Sequence, residues 1–319
     1  MPKVSVGIPV YNGDKFLRTC LDHVLAQTHK DLEIIISDNA STDGTEEICR
    51  EYVARDDRIQ YHRNETNVGA APNYNRTVNL STGQFFKFMA HDDLIRPTYV
   101  ETCLNSFDEY GEDVIVCYPK TIHIDDAGTE VEEYSDRLDL DHEKPQDRLS
   151  HYMQNVRQCN AAHGLMRLDG LRKTRLIGAY NNSDMIFLAE LLLLGKIREV
   201  PEPLFLRRVH EKSSRAANQT PEDLLKWFDT KARNRWVLPI TKRAVEYLRA
   251  VRRSPLPFRT RMSCYRVVWR LFLKRYWRHM GSEVRRELKA SLRRTFGRSK
   301  DTETPKEQSQ SSKVPVNGK

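Results

Sequence analysis

The 319-residue sequence predicts an α/β protein built on a mostly parallel, doubly wound central sheet with flanking helices. Three observations carry the prediction. Four strand-like runs alternate with amphipathic helical patterns over about the first 115 residues, joined by short connections. The runs are rich in Val, Ile, Leu and Phe, as strands buried on both faces are. A polar stretch follows each run, at residues 11–13, 38–44, 64–69 and 91–93. Sheets of this kind bind ligands at the carboxyl ends of their strands, so the four stretches should gather on one edge and form a single site.

Val4 to Val10 reads as the first strand. Asp14 is placed to cap a helix reaching Gln27, with Phe16, Leu17, Leu21, Val24 and Leu25 on one stripe. Leu32 to Ile36 is a second, buried strand, and the turn-prone Ser37 to Thr45 leads into a helix ending near Arg55. Arg58 to His62 is a third strand, followed by a loop over Asn64 to Pro72 and a helix to Leu80. Gln84 to Met89 is the fourth strand. A helix over Tyr99 to Glu109 and a strand over Val114 to Tyr118 follow.

The second half is less regular. Thr121 to Glu132 suggests a hairpin turning at Asp126-Ala127-Gly128. A helix is expected over Gln146 to Val156, a strand over Ala161 to Leu168 and another helix from Asp169. Asn181 to Leu194 is an apolar helix with Gly195 at its end. Ile197 to Val200 and Leu204 to Val209 are short strands, and from Pro221 onward the pattern is helical. Residues 301–319 form a Ser/Gln/Lys/Pro tail of disordered composition.

Composition narrows the function classes. The six cysteines form no CxxC pair, which favours reduced core thiols in a cytoplasmic setting over a disulfide framework or a zinc site. No signal peptide and no run of about 18 apolar residues is apparent. The net charge of +8 is uneven. Residues 242–300 hold 19 Lys and Arg against three acids, whereas residues 1–241 carry a net −8. An acidic body therefore precedes a basic extension.

The organising stretch is Phe85 to Pro97, where an apolar strand delivers Asp92 and Asp93 to the sheet edge. Two hard carboxylates there suit Mg or Mn bridging to diphosphate oxygens; the bland alternative is an acid pair before the helix opened by Pro97. Asp38 at a strand end could accept from a base N–H or a sugar hydroxyl. Asn67-Val68-Gly69 could bring backbone close to a ligand, or be an ordinary turn. Asp184, in the first turn of an apolar helix, could be a general base or a capping acid. His210, after a short strand with Arg208 and before Ser213, could contact a metal or phosphate, or be polar surface.

In this order, VSVGIPVYNG, LEIIISDNASTDGT, NVGAAPNYN, FFKFMAHDD, SDMIFLAELLLLG and RRVHEKS resemble the family 2 glycosyltransferases of the GT-A fold, from about Val4 to Ser214. The resemblance implies a catalytic domain over 1–215, with a nucleotide-binding half (1–118) and an acceptor-binding half (119–215). It implies a nucleotide-sugar donor, a divalent cation and a single inverting displacement. Pro9, Tyr11 and Asn12 would line the base pocket and Asp38 would contact the base, usually uracil. Asn67 to Gly69 would flank the nucleoside. Asp92 would lie near the ribose and Asp93 on the metal. Asp184 would deprotonate the acceptor, and His210, with Arg208 nearby, would close over metal and diphosphate.

Departures are visible. His91 stands where many members have the first acid of a DxD element, and Ser183 where many have Glu. Of a processive QxxRW element only Arg235-Trp236 remains, within residues 232–236, which points to one sugar per encounter. A cell-envelope or surface glycan, or a lipid-linked acceptor, is the expected acceptor class. The alternatives are a nucleotidyltransferase, which lacks its Gly-rich phosphate loop here, and a non-catalytic nucleotide- or glycan-binding relic of the fold.

Within the basic helical extension (216–300), Arg261 to Met280 has apolar residues at 262, 265, 268, 269, 272, 273, 276 and 280, interspersed with Arg and Lys. Two readings stand side by side: a helix lying peripherally on an anionic membrane surface, and a helix packed on the body with a solvated basic face. Nucleic acid is less favoured, because no recognised module accompanies the charge. On the membrane reading, a chain ending near Pro255 loses liposome binding.

Overall fold

The computed structural model describes residues 4–210, 220–230 and 236–297. The expected tail at 301–319, Ser213, and residues 232–235 of the Arg-Trp stretch lie outside the described residues. The first half alternates as the periodicity predicts: β1 (Val4–Val10), α1 (Leu17–Leu25), β2 (Leu32–Asp38), α2 (Thr45–Arg55), β3 (Ile59–Arg63), α3 (Ala70–Leu80) and β4 (Phe85–Phe88). The four strands run parallel in the order β3-β2-β1-β4. Register aligns Val10 with Asp38, and Asp38 with Arg63, so the carboxyl ends of β1, β2 and β3 share one edge. The chain passes outward from β1 to β2 and β3 on one side and returns to β4 on the other. The switch point therefore lies between β1 and β4, where a crevice is expected.

Beyond β4 come β5 (Leu94–Ile95), α4 (Tyr99–Tyr110) and β6 (Val114–Ile124), which turns back into β7 (Glu130–Tyr134). Then follow α5 (Pro145–Asn155), a 3-10 turn (Asn160–His163), β8 (Leu165–Arg167), α6 (Leu168–Leu171), α7 (Ser183–Leu194) and β9 (Lys196–Arg208). The sheet continues as β4-β8-β6-β9-β5, with antiparallel β8 and β5. The sheet is thus parallel on the first side and mixed on the second.

Residues alternate between two cores. Val4, Val6, Ile8 and Val10 face α1, α2 and α4. Phe86, Phe88, Val116 and Tyr118 face α5 and α7. Helix α7 is buried from Ile186 to Leu193, which its all-round apolar sequence requires.

Three local expectations are corrected. Asp14 does not cap α1: the Gly13 carbonyl accepts the Phe16 and Leu17 N–H groups, so the helix starts at Leu17. The strand expected from Ala161 is confined to Leu165–Arg167, because the chain first winds through the 3-10 turn. The two short strands after Gly195 are one strand, β9, whose pairing with β6 shifts register opposite Pro201 to Pro203. A proline has no N–H to give the ladder, so the strand bulges there instead of ending. Gly195 ends α7 as expected, in an extended conformation.

The C-terminal helices are α8 (Pro221–Phe228), α9 (Pro239–Arg253), α10 (Phe258–Val268), a π-helical turn (Trp269–Leu273) and α11 (Lys274–Gly297). Ala244, Tyr247, Cys264, Val267, Val268 and Phe272 join the same apolar cluster as α5 and α7. The buried Glu283 of α11 accepts from the Ile240 and Thr241 N–H groups, 2.9 Å each, and so caps α9 from a distant helix. Packing on the body is thus the reading the geometry supports for the Val268/Phe272 side of this segment. Among the described residues no helix is long and apolar enough to cross a membrane.

Candidate active site

A cleft of about 810 Å³ opens at the β1/β4 switch point. Its walls are the end of β1 and the segment after it (Pro9 to Phe16), the start of α3 with Asn67, and the end of β9 with His210. The segment Ala90 to Asp93 forms the floor. Lys226, Trp227 and Thr230, at and after the end of α8, complete the rim. Pro9, Tyr11, Asn12, Asn67, Asp92, Asp93, Arg208 and His210 all line this one cleft.

Asp92 and Asp93 sit side by side and are treated differently by their surroundings. Asp92 Oδ2 lies 2.9 Å from His210 Nε2. Burial works to raise its pKa, but the His210 contact and the nearby His91 outweigh this and hold it at about 2. Asp93 is buried, and its Oδ1 accepts the Arg208 N–H at 2.9 Å. Burial and the charge of Asp92 push it up to about 7. The two adjacent carboxylates are thus held differently, one ionised and one resisting ionisation.

Three predicted donor residues have structural duties. Asp38 is fully buried and does not reach the cleft wall. Its Oδ1 accepts from the Ser41 N–H (2.9 Å) and hydroxyl (2.6 Å), and its Oδ2 from Tyr61 and Arg63, both at 2.7 Å. It holds the 38–44 turn in place: the Ser41 hydroxyl in turn accepts the Asn12 N–H, and Asn12 Oδ1 accepts the Thr42 N–H. Gly69 has φ +91°, and a Cβ there would lie 2.6 Å from the Phe228 carbonyl. The close backbone approach read from the sequence is therefore to the end of α8. Arg208 is buried, with its guanidinium spent on the Asp92, Asp125 and Asp126 carbonyls. It clips the β6–β7 turn to the acidic floor.

Asp184 opens α7, half-buried, with Oδ1 accepting the Met185 N–H at 2.9 Å. It is not among the cleft-lining residues. Its charge reaches Tyr74, which does line the cleft and whose hydroxyl is pushed up by burial and then by Asp92, Asp93 and Asp184.

Sequence reasoning passed over several wall residues. Asn39 ties the loop at 67–69 together: its amide donates to Asn67 Oδ1 and the Gly69 carbonyl and accepts the Val68 N–H. Its signal was its place directly after β2. Arg207 lines the cleft as Arg208 does, and donates to Asn160 Oδ1 at 2.6 Å. His123 and Glu132, 2.9 Å apart across the β6–β7 hairpin, also line the cleft, and nothing local in the sequence marks them.

The model for glycosyl transferase family 2 matches residues 5–164, half of this chain and the whole run from β1 through the acidic floor. The chain belongs to glycosyl transferase family 2. Among relatives, it is 40% identical over 114 residues to the glycosyltransferase GlyA of Streptococcus pneumoniae, covering 36% of this chain and 16% of GlyA. It is 33% identical over 113 residues to GlyG of the same organism, covering 35% of this chain and 38% of GlyG. The matched segment thus spans well under two thirds of either relative. In structure it resembles residues 1–349 of S. aureus TarS, solved with UDP-GlcNAc, at a TM-score of 0.61 and 16% identity, covering 86% of this chain and 72% of that one. The likeness shows a shared GT-A-type α/β fold.

Proposed function

We propose that this family 2 protein transfers one sugar from a UDP-sugar to a hydroxyl of a glycan or lipid-linked acceptor, with inversion and with Mg or Mn bound. The observation that carries the reading is the Asp92–Asp93 floor with His210 against it, in a cleft at the β1/β4 switch point. TarS, which shares the fold, has been solved with UDP and with UDP-GlcNAc, and this supports a uridine nucleotide.

The residues present fit a divalent cation. Among the described residues no three or more His, Cys, Asp or Glu side chains are grouped to hold a metal alone. Mg and Mn need less: one or two carboxylates, with phosphate oxygens and water completing the shell. Asp93, with one oxygen on the Arg208 N–H, and Asp92 supply that set. Such a cation, when bound, neutralises charge on the departing diphosphate.

The chain's own residues bind and orient. Pro9, Tyr11, Asn12 and Asn67 offer a nucleoside wall, with Asn39 and Asp38 holding it from behind. Asp184 takes the acceptor proton in this reading. A cell-envelope or surface polysaccharide is the acceptor class we infer.

A thermal-shift titration of UDP, GDP, dTDP and CMP, with and without Mn, tests the donor site, because ligand binding to the native state raises the melting temperature. A Mn-dependent shift with UDP is expected. No shift with any nucleotide would move the chain to the non-catalytic reading; release of UDP from a UDP-sugar in the presence of acceptor separates an enzyme from a binding relic.

A further inference from the structure

Helix α10, the π turn and α11 form one rod, about 60 Å long at 1.5 Å per residue. The rod carries two apolar stripes. One is spent on the body: Cys264, Val267, Val268 and Phe272 are buried in the main core. The other points away. Phe258 (73% exposed), Met262, Trp269 (56%), Trp277 (60%), Leu288 and Leu292 are all exposed. The stripe read from the sequence mixed the two faces; Trp269 belongs to the outer one and Phe272 to the inner.

The π turn brings the outer stripe into line. Four, seven and eleven residues each return a helix to nearly the same face, as from Phe258 to Met262, Met262 to Trp269, and Trp277 to Leu288. Trp269 and Trp277 are eight apart, which would swing Trp277 off the stripe. The π turn between them absorbs one extra residue, so eight act as about seven and the two indoles share a face.

Charge completes the pattern. Arg266, Arg270, Lys274 and Arg278 recur every fourth residue, all exposed, along one flank of the stripe. Lys274 lies over Trp269 at 5.9 Å and Arg278 over Trp277 at 5.3 Å. The three acids of residues 242–300, Glu246, Glu283 and Glu287, are only 0%, 5% and 7% exposed. The outward face of the rod therefore presents aromatic and basic groups with no acid among the described residues.

We propose that this face docks on a lipid bilayer carrying anionic headgroups. Indoles settle at the depth between headgroup and acyl chain, and flanking Arg and Lys side chains reach back to the phosphates. A second copy fits worse, because pairing two such stripes sets their basic flanks together without acids to neutralise them. The contact is independent of the transfer reaction, and its readout is binding.

Truncation near Pro255 is an unsuitable test, since it removes buried Val267, Val268 and Phe272 together with the Glu283 cap. The full chain is instead sedimented at low salt with vesicles of phosphatidylcholine, alone or mixed with phosphatidylglycerol. The wild-type chain should bind the mixed vesicles, with a blue shift of its Trp emission, and leave the neutral ones. Trp269→Ser/Trp277→Ser and Arg270→Glu/Lys274→Glu should each lower partitioning by about tenfold or more, while melting at the wild-type temperature. Equal partitioning of wild type and both variants, or no wild-type binding to mixed vesicles, would overturn the proposal. So would a dimer, or retention on nucleic acid, that depends on the same four residues while vesicle binding does not.

Discussion

His210 Nε2 lies 2.9 Å from Asp92 Oδ2, a contact across 118 residues of chain that joins the segment after β9 to the acidic floor after β4. With the nearby His91, it holds the half-buried Asp92 carboxyl below the usual carboxylate range. Replacing His210 by Ala leaves that carboxylate without its partner. The expected result is a UDP affinity in the presence of Mn about tenfold weaker, read by calorimetric titration. Asp93→Ala should abolish the Mn dependence itself. Unchanged Mn-dependent binding in both variants would mean that the donor sits elsewhere.

Asp184→Asn separates binding from chemistry. The variant should keep Mn-dependent UDP binding and lose at least about a hundredfold in kcat, because a carboxamide cannot accept the proton. Full transfer by Asp184→Asn would shift the base to the cleft wall, where Glu132 and His123 are paired; Glu132→Gln would then be the inactive variant.

Asp38→Asn tests a supporting role against a base contact. Asp38 accepts four hydrogen bonds, one from the Arg63 guanidinium, with no exposed surface of its own. Losing the charge and part of the acceptor capacity should cost about 2–4 kcal/mol of stability, read by denaturant unfolding. Affinity for UDP and GDP should fall by the same factor. Wild-type stability with a loss confined to uridine nucleotides would restore Asp38 as a direct base contact.

Lys87 supplies a pH prediction. It is fully buried on β4, donating to the His163 carbonyl at 2.6 Å and lying 4.2 Å from the Tyr99 ring centre. Burial lowers its pKa from 10.5 to about 8. Between those values the unfolded chain holds the proton and the folded chain does not, so this group makes stability rise with pH there. The full effect is on the order of 3 kcal/mol. Lys87→Met should remove that rise, and at about pH 7 should be at least as stable as wild type, since Tyr99 still donates to the His163 carbonyl. A Met variant retaining the wild-type slope would show that another group titrates.

Much of the fold was legible because its cause is local. Alternation of buried strands with amphipathic helices, and polar turns after each strand, are properties of short windows, and they placed β1 to β4 and the cleft edge. The acidic floor was legible for the same reason: Asp92 and Asp93 directly follow an apolar strand. Asn39 and Arg207 were not, because each is set by partners distant in the chain: Asn67 and Gly69 for Asn39, Asn160 for Arg207.

By itself, then, the sequence determined the α/β class, the family, the edge of the sheet that bears the cleft and the adjacency of the two acids. The tertiary structure decided who meets whom. It assigned Asp38 to Ser41, Tyr61 and Arg63, set Gly69 against Phe228, tied Arg207 to Asn160 and made Arg208 the clip on the β6–β7 turn. It also divided one mixed stripe of the C-terminal rod into a core face and an outer face through a single π turn. Periodicity survives in any short window of sequence, whereas register and the packing of distant segments arise only when the whole chain has found its partners.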